Sequence, residues 1–257
     1  IIINADKISY FKNKEKIIAE GNVEVTDSSK NIFISANKIL YFIKKQEINA
    51  FEKVKLKDNS NNLFIESEKF YYFKNKEKFI AEENVKLSDL NKDINITSNK
   101  ITYERNREII FSKGPTEANI KSKYEFISKD LTFLKNEMKL FSSEQSIIKS
   151  KDFSLFELDT FDYKIDEEYL KGTNIFFEED SHLSDGENDK YFFKSGFFDL
   201  KNNDFTTGDA KILLKKKIFD RSENDPRLYG VSSSHKNGIT TINKAVFTSC
   251  KKRENCT

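Results

Sequence analysis

One six-residue motif returns along this chain at an almost constant interval. It reads Ala5-Asp-Lys-Ile-Ser-Tyr10, Ala36-Asn-Lys-Ile-Leu-Tyr41, Ser67-Glu-Lys-Phe-Tyr-Tyr72 and Ser98-Asn-Lys-Ile-Thr-Tyr103. Weaker copies follow at Ser128-Lys-Asp-Leu-Thr-Phe133 and Leu158-Asp-Thr-Phe-Asp-Tyr163, so the starts are 31, 31, 31, 30 and 30 residues apart. A second motif keeps step with it: Gly21-Asn-Val-Glu-Val25, Glu52-Lys-Val-Lys-Leu56, Glu83-Asn-Val-Lys-Leu87 and the degenerate Gly114-Pro-Thr-Glu-Ala118. A chain that copies one supersecondary unit stacks the copies, and the stack makes one long surface. Function is therefore expected along a continuous surface, not at a point.

The copied unit is β. Apolar residues fall at i, i+2 within each copy, not at i, i+3, i+4, and the chain is rich in Ile, Phe and Tyr with only 2 Pro. Each period resolves into two extended segments, such as residues 31–42 and 47–57, joined by short polar turns at 43–46, 58–61 and 74–77. The segments exceed the usual strand length of about 5–6 residues. They break in the middle at small or polar residues: Ala19-Glu-Gly-Asn22, Ser35-Ala-Asn37, Ala81-Glu-Glu-Asn84 and Ser98-Asn99. The apolar phase shifts there, from Phe33 and Ile34 to Ile39 and Tyr41. A register change of that kind is what a sheet corner requires, so each strand is expected to bend and serve two facing sheets.

Beyond about Lys164 the pattern fades. Residues 169–179 and 191–200 still read as strands, 180–190 as a polar loop, and 206–219 as containing one strand at 209–214. From Asp220 the composition shifts to a connecting segment, followed by a last strand at 239–248. Lys plus Arg is 44 and Asp plus Glu is 42, so the balance gives no electrostatic case for a nucleic-acid partner. No apolar run approaches the roughly 20 residues of a spanning helix. The chain opens inside a repeat without an initiator Met, as a mature chain or excised piece would. No nucleophile elbow, phosphate loop or metal motif is present, so neither an enzyme nor a cofactor is expected. The alternating Lys and carboxylates read as solvated strand faces, His182 and His235 as loop histidines, and Lys215–Lys217 and Lys251–Arg253 as soluble surface and linker, with contact to lipid phosphates as the alternative.

The paired motifs resemble the repeat of the OstA/LptA-type domain of lipopolysaccharide transport. The tail, Asp225-Pro-Arg-Leu-Tyr-Gly-Val-Ser-Ser-Ser234 followed by Ile242-Asn-Lys-Ala-Val-Phe-Thr-Ser-Cys250, resembles the junction at which the periplasmic domain of the LptD family meets its outer-membrane barrel. The resemblance implies an all-β, elongated β-jellyroll, V-shaped and built from bent antiparallel hairpins, over residues 1–219. Residues 220–257 would then lead to a barrel. It implies a place on the periplasmic side of the Gram-negative outer membrane, lipopolysaccharide as ligand, an LptA-like bridge protein at the first strand (residues 1–11) and an LptE-like lipoprotein through the barrel.

An apolar trough suits such a ligand, because each buried methylene gains about 0.8 kcal/mol. The candidate lining rows are Ile8, Ile39, Phe70, Ile101 and Leu131, beside Tyr10, Tyr41, Tyr72, Tyr103 and Phe133. The second set is Val23, Val54 and Val85 with Val25, Leu56 and Leu87. The same rows would equally close two sheets into a dry core. Cys250 and Cys256 lack the further ligands of a zinc site. The resemblance suggests disulfides for them, with Cys250 matching the family's Phe-Thr-Ser-Cys element, and a Cys250–Cys256 bond or two free thiols where the barrel is absent. Competing readings are a soluble LptA-like bridge, a structural β-repeat stalk and a carbohydrate-acting β-helix enzyme.

Overall fold

A computed structural model describes residues 1–151, 154–179, 188–216 and 224–251. Among them the protein is all-β and jellyroll-like, with no α-helix. The chain forms two compact units, residues 1–122 with 127–136, and residues 123–126 with 137–257.

The first unit is an antiparallel meander. Its strands are β1 (Ile2–Asn4), β2 (Lys7–Phe11), β3 (Lys16–Asp27), β4 (Ile32–Phe42), β5 (Glu47–Asp58), β6 (Leu63–Phe73), β7 (Lys78–Asp89), β8 (Ile94–Glu104) and β9 (Ile109–Ile120). Strand β10 (Tyr124–Ser128) carries residues of both units, and β11 (Thr132–Leu134) returns to pair with β9. Each long strand pairs with the next, and the turns fall at the expected polar tetrads.

The expected mid-strand break is a β-bulge. Two consecutive residues of β3, β5 and β7 take positive φ: Gly21 and Asn22 (79° and 46°), Glu52 and Lys53 (66° and 53°), Glu83 and Asn84 (66° and 55°). The ladder gains one residue there on the bulged strand. On β4, β6 and β8 the buried set changes parity at the same level. Leu63, Ile65 and Ser67 are buried before the corner of β6, and Phe70 and Tyr72 after it. Ala19 and Ala81, which the sequence reading assigned to the break itself, face the core just before it, as does Ala50.

The bend folds each strand back until its two ends meet. Turn 28–31 and turn 74–77 lie at opposite ends of the hairpins along the chain, yet Lys74 Nζ is 2.9 Å from Asp27 Oδ2, and Lys30 pairs with Glu77. The first unit is thus two facing limbs hinged at the bulges, with their apolar faces turned inward.

The second unit comprises β12 (Lys139–Ser142), β13 (Ser146–Ser150), β14 (Leu155–Leu158), β15 (Thr160–Lys164), β16 (Tyr169–Glu178), β17 (Lys190–Asp199), β18 (Asp204–Leu213), β19 (Arg227–Lys236), β20 (Ile239–Asn243) and β21 (Val246–Thr248). Bent strands therefore continue well past Lys164, with Asn174 and Asp209 now at positive φ. Paired phenylalanines, Phe192-Phe193 and Phe197-Phe198, put aromatics on both faces of β17 and hide the alternation from a sequence reading. The strand expected at 209–214 begins earlier, at Asp204. The segment read as a connector contains β19, which pairs with β18 from Arg227 to His235, with Val231 skipped. The expected last strand is two, β20 and β21, both paired with β19. Most of the expected loop 180–190 lies outside the described residues.

Candidate functional site

The inward faces of the first unit carry side chains in rows that cross every strand. One row runs through direct cross-strand partners: Tyr10, Ile17, Tyr41, Ile48, Tyr72, Phe79, Tyr103, Ile110 and Phe133. Beside it, large residues alternate with small ones: Ile8, Ala19, Ile39, Ala50, Phe70, Ala81, Ile101 and Ser112. The backbone N–H of Ser112 donates to the Leu131 carbonyl at 2.8 Å. On the other limb, Val25, Ile34, Leu56, Ile65, Leu87, Ile96 and Ala118 form a third row. Val23, Val54 and Val85 lie next to it and are fully buried. Small beside large lets facing rows interdigitate without voids.

The sixteen residues expected to line a trough all lie on these inward faces, but their exposure is graded along the unit. Ile8 is 50% exposed and Tyr10 59%, Tyr41 is half-buried, and the other thirteen are buried. The change follows the strand order from β2 inward. Strands β1 and β2 pair with β3 on one side only, and Ile1, Ile2 and Phe11 are exposed with them.

Where the limb ends meet, ion pairs join them at the interval of the repeat. Asp27, Asp58 and Asp89 close their strands and are buried to 2% exposure or less. Each takes a cation from a turn at the opposite hairpin end: Lys74 for Asp27, Arg105 for Asp58 and Lys135 for Asp89. Arg105 is the most heavily bonded. Its Nε and Nη2 donate to the two Asp58 oxygens at 2.8 and 3.3 Å, Nη1 to Glu77 at 3.1 Å, and Nη2 also to the Lys30 carbonyl at 3.0 Å. Burial pushes the Asp27 carboxyl up, but hydrogen bonds from Lys74 and Ser29 outweigh it and hold the group below its ordinary value of 3.8.

This seam was missed by the sequence reading, which took all the carboxylates for solvated faces. That reading holds for exposed cross-strand pairs such as Lys55–Glu66. The buried members carried a signal of their own, since Asp27, Asp58 and Asp89 recur 31 residues apart, as do Lys74 and Arg105. Just inside the seam stand Tyr72 and Tyr103. Both are fully buried, and neither hydroxyl has a hydrogen-bond partner among the described residues. Burial first, then the neighbouring carboxylates Asp27 and Glu77 for Tyr72 and Asp58 for Tyr103, push both phenols well above their ordinary range.

The second unit holds a cavity of about 120 Å³ lined by Tyr124, Phe156, Phe177, Tyr191, Phe198, Phe205 and His235, among others. His235 is not the loop histidine expected. It lies on β19, stacks on Phe205 at 5.3 Å and sets Nδ1 2.9 Å from Thr240 Oγ1. Cys250 is exposed. His182, Cys256, Lys217 and Arg253 lie outside the described residues.

The fold and these rows define a class: an all-β protein of stacked, bent hairpins around an apolar interior. The family model for OstA-like proteins matches residues 1–155, and the chain belongs to that family. A search of curated proteins finds no match. Among solved structures, LptH of Pseudomonas aeruginosa is similar at a TM-score of 0.40 and 14% identity, over 44% of this chain and 80% of its own. It is described as the LptA-homologous periplasmic component of the conserved lipopolysaccharide transport device.

Proposed function

We propose that the protein is a periplasmic lipopolysaccharide carrier whose first unit holds acyl chains between its two limbs. The observation that carries this reading is the graded row. In the row that starts at exposed Tyr10, inward apolar side chains run without interruption to buried Phe133. A chain admitted at the exposed end meets an apolar path all the way, and each buried methylene is worth about 0.8 kcal/mol. The limbs part along the seam of ion pairs to make room. Photo-crosslinkers placed at Ile39 or Tyr72 should capture lipopolysaccharide, whereas capture only from outward positions such as Lys55 would refute the trough.

The finer reading is that residues 1–219 are the periplasmic jellyroll of LptD and residues 220–257 its junction to a barrel. Its supports are the resemblance of the Asp225–Cys250 segment and the apolar residues exposed within it, Val231, Ile239, Val246 and Phe247. In that setting Cys250 and Cys256 serve in disulfides, and an LptE-like lipoprotein meets the barrel. A soluble LptA-like bridge has the same trough and no barrel. The chain downstream of Thr257 separates the two, because ten-residue alternating apolar segments would mark a barrel. The unpaired edge of β1 and β2 is the docking place for a bridge protein, by strand addition. Ile3→Pro should abolish bridge binding and leave the fold intact.

A further inference from the structure

The two unpartnered phenols inside the seam lead beyond an apolar trough. A buried hydroxyl without a partner is unfavourable to the fold, and such groups in native proteins call for a reason. Packing does not supply one. The same row accepts Phe133 in the fifth copy of the motif, and Ile48, Phe79 and Ile110 between the tyrosines. The Phe79 ring is held between them, 4.7 Å from Tyr72 and 5.5 Å from Tyr103, so hydrocarbon contact there is already complete without the oxygens. Asp27, Asp58, Glu77, Asp89, Glu108 and Arg105 are near enough to influence the phenols electrostatically, yet none of them makes a hydrogen bond to either hydroxyl. The hydroxyls therefore sit inside the line along which the limbs part, two strand spacings or about 10 Å apart, with donor capacity unspent.

We propose that Tyr72 and Tyr103 hydrogen-bond oxygen substituents, a hydroxyl or an acyloxy carbonyl, borne on the acyl chains of the ligand. This deepens the carrier reading and rests on it. The trough would then select oxygen-substituted chains over plain hydrocarbon, and the cost of the empty state would be relieved when the ligand arrives.

The test compares tetradecanoic acid with 3-hydroxytetradecanoic acid, binding each to the full chain and to the Tyr72→Phe/Tyr103→Phe variant. The intact protein should prefer the hydroxy acid by about tenfold, the value of one net hydrogen bond. The variant should lose the preference and bind the two acids with similar affinity. Without ligand it should melt at the same temperature as the parent or higher, because it removes two unpaired hydroxyls. A preference that survives in the variant, no preference in the parent, or a lower melting temperature for the empty variant would each overturn the assignment and leave the trough standing. Binding of neither acid would overturn the trough and this inference with it.

Discussion

Glu52 and Lys53 sit in the left-handed region, at φ 66° and 53°, where side chains with a Cβ are strained. The first copy of the bulge uses glycine at the first of these places, Gly21 at φ 79°, and the fourth has Gly114 at 88°. At Gly21 the reason is double, since a Cβ would come within 2.4 Å of Asp6 Oδ2. Glu52→Gly should therefore stabilise the protein by about 0.5–1 kcal/mol, the relieved strain exceeding the greater freedom of glycine in the unfolded chain. A shift of the urea midpoint in the opposite direction would show that the bulge holds Glu52 without strain. Asp27 makes a second claim at this scale. Its carboxyl titrates lower in the folded protein than its ordinary 3.8, so its contribution is complete above that value and is lost as pH falls through the lower folded one. Urea midpoints followed from about pH 5 to about pH 2.5 should fall, and fall less in Asp27→Asn.

Strands of 11 or 12 residues recur because each is two short strands joined at a corner, a bulge on β3, β5, β7 and β9 and a change of buried parity on β4, β6 and β8. The seam is the consequence of that bend, since only folded strands bring both hairpin ends together. Its ion pairs are largely buried, and such pairs are weak evidence for net stability but costly to break on one side. Arg105→Ala leaves the buried Asp58 without its cation, and should destabilise the protein by about 3–5 kcal/mol. Adding Asp58→Leu should recover much of that loss. If the double variant is no more stable than the single, Arg105 acts through Glu77 and the Lys30 carbonyl, not through Asp58. The element pattern was legible in advance: turns, breaks and parity changes fell where spacing put them. The seam was not, because single-strand periodicity says nothing about which turns a bend brings face to face.

Across the molecule, tyrosines report on both interiors together. Burial raises the phenols of Tyr72 and Tyr103 in the first unit and Tyr163 in the second, and pushes Tyr124 and Tyr191 up to about 12. Raised folded values mean that the neutral phenols contribute stability fully below the ordinary 10.0, and that this is lost as pH climbs through the folded values. An alkaline titration followed by phenolate absorbance should show a late phase above about pH 12 that coincides with loss of the β-sheet circular dichroism signal. A single smooth phase near the ordinary value, complete while the sheet signal persists, would mean that water reaches these interiors.

The sequence by itself determined the period, the β class, the corner positions and which side chains share an inward row. All of these are local, written in a spacing of two along a strand and 31 along the chain. Tertiary structure alone decided three things. It buried the carboxylates of Asp27, Asp58 and Asp89, because the strands fold back and bring cations from 46 or 47 residues away. It left Ile8 and Tyr10 exposed while Ile39, Phe70, Tyr72, Ile101 and Tyr103 are sealed, because the first copy has no neighbour before β1 and β2 among the described residues. And it stranded the hydroxyls of Tyr72 and Tyr103 without partners, because no acceptor among the described residues lies in hydrogen-bonding geometry to either oxygen once the row is closed around them. Burial and partnership are properties of what meets across the bend, and one-dimensional spacing does not carry them.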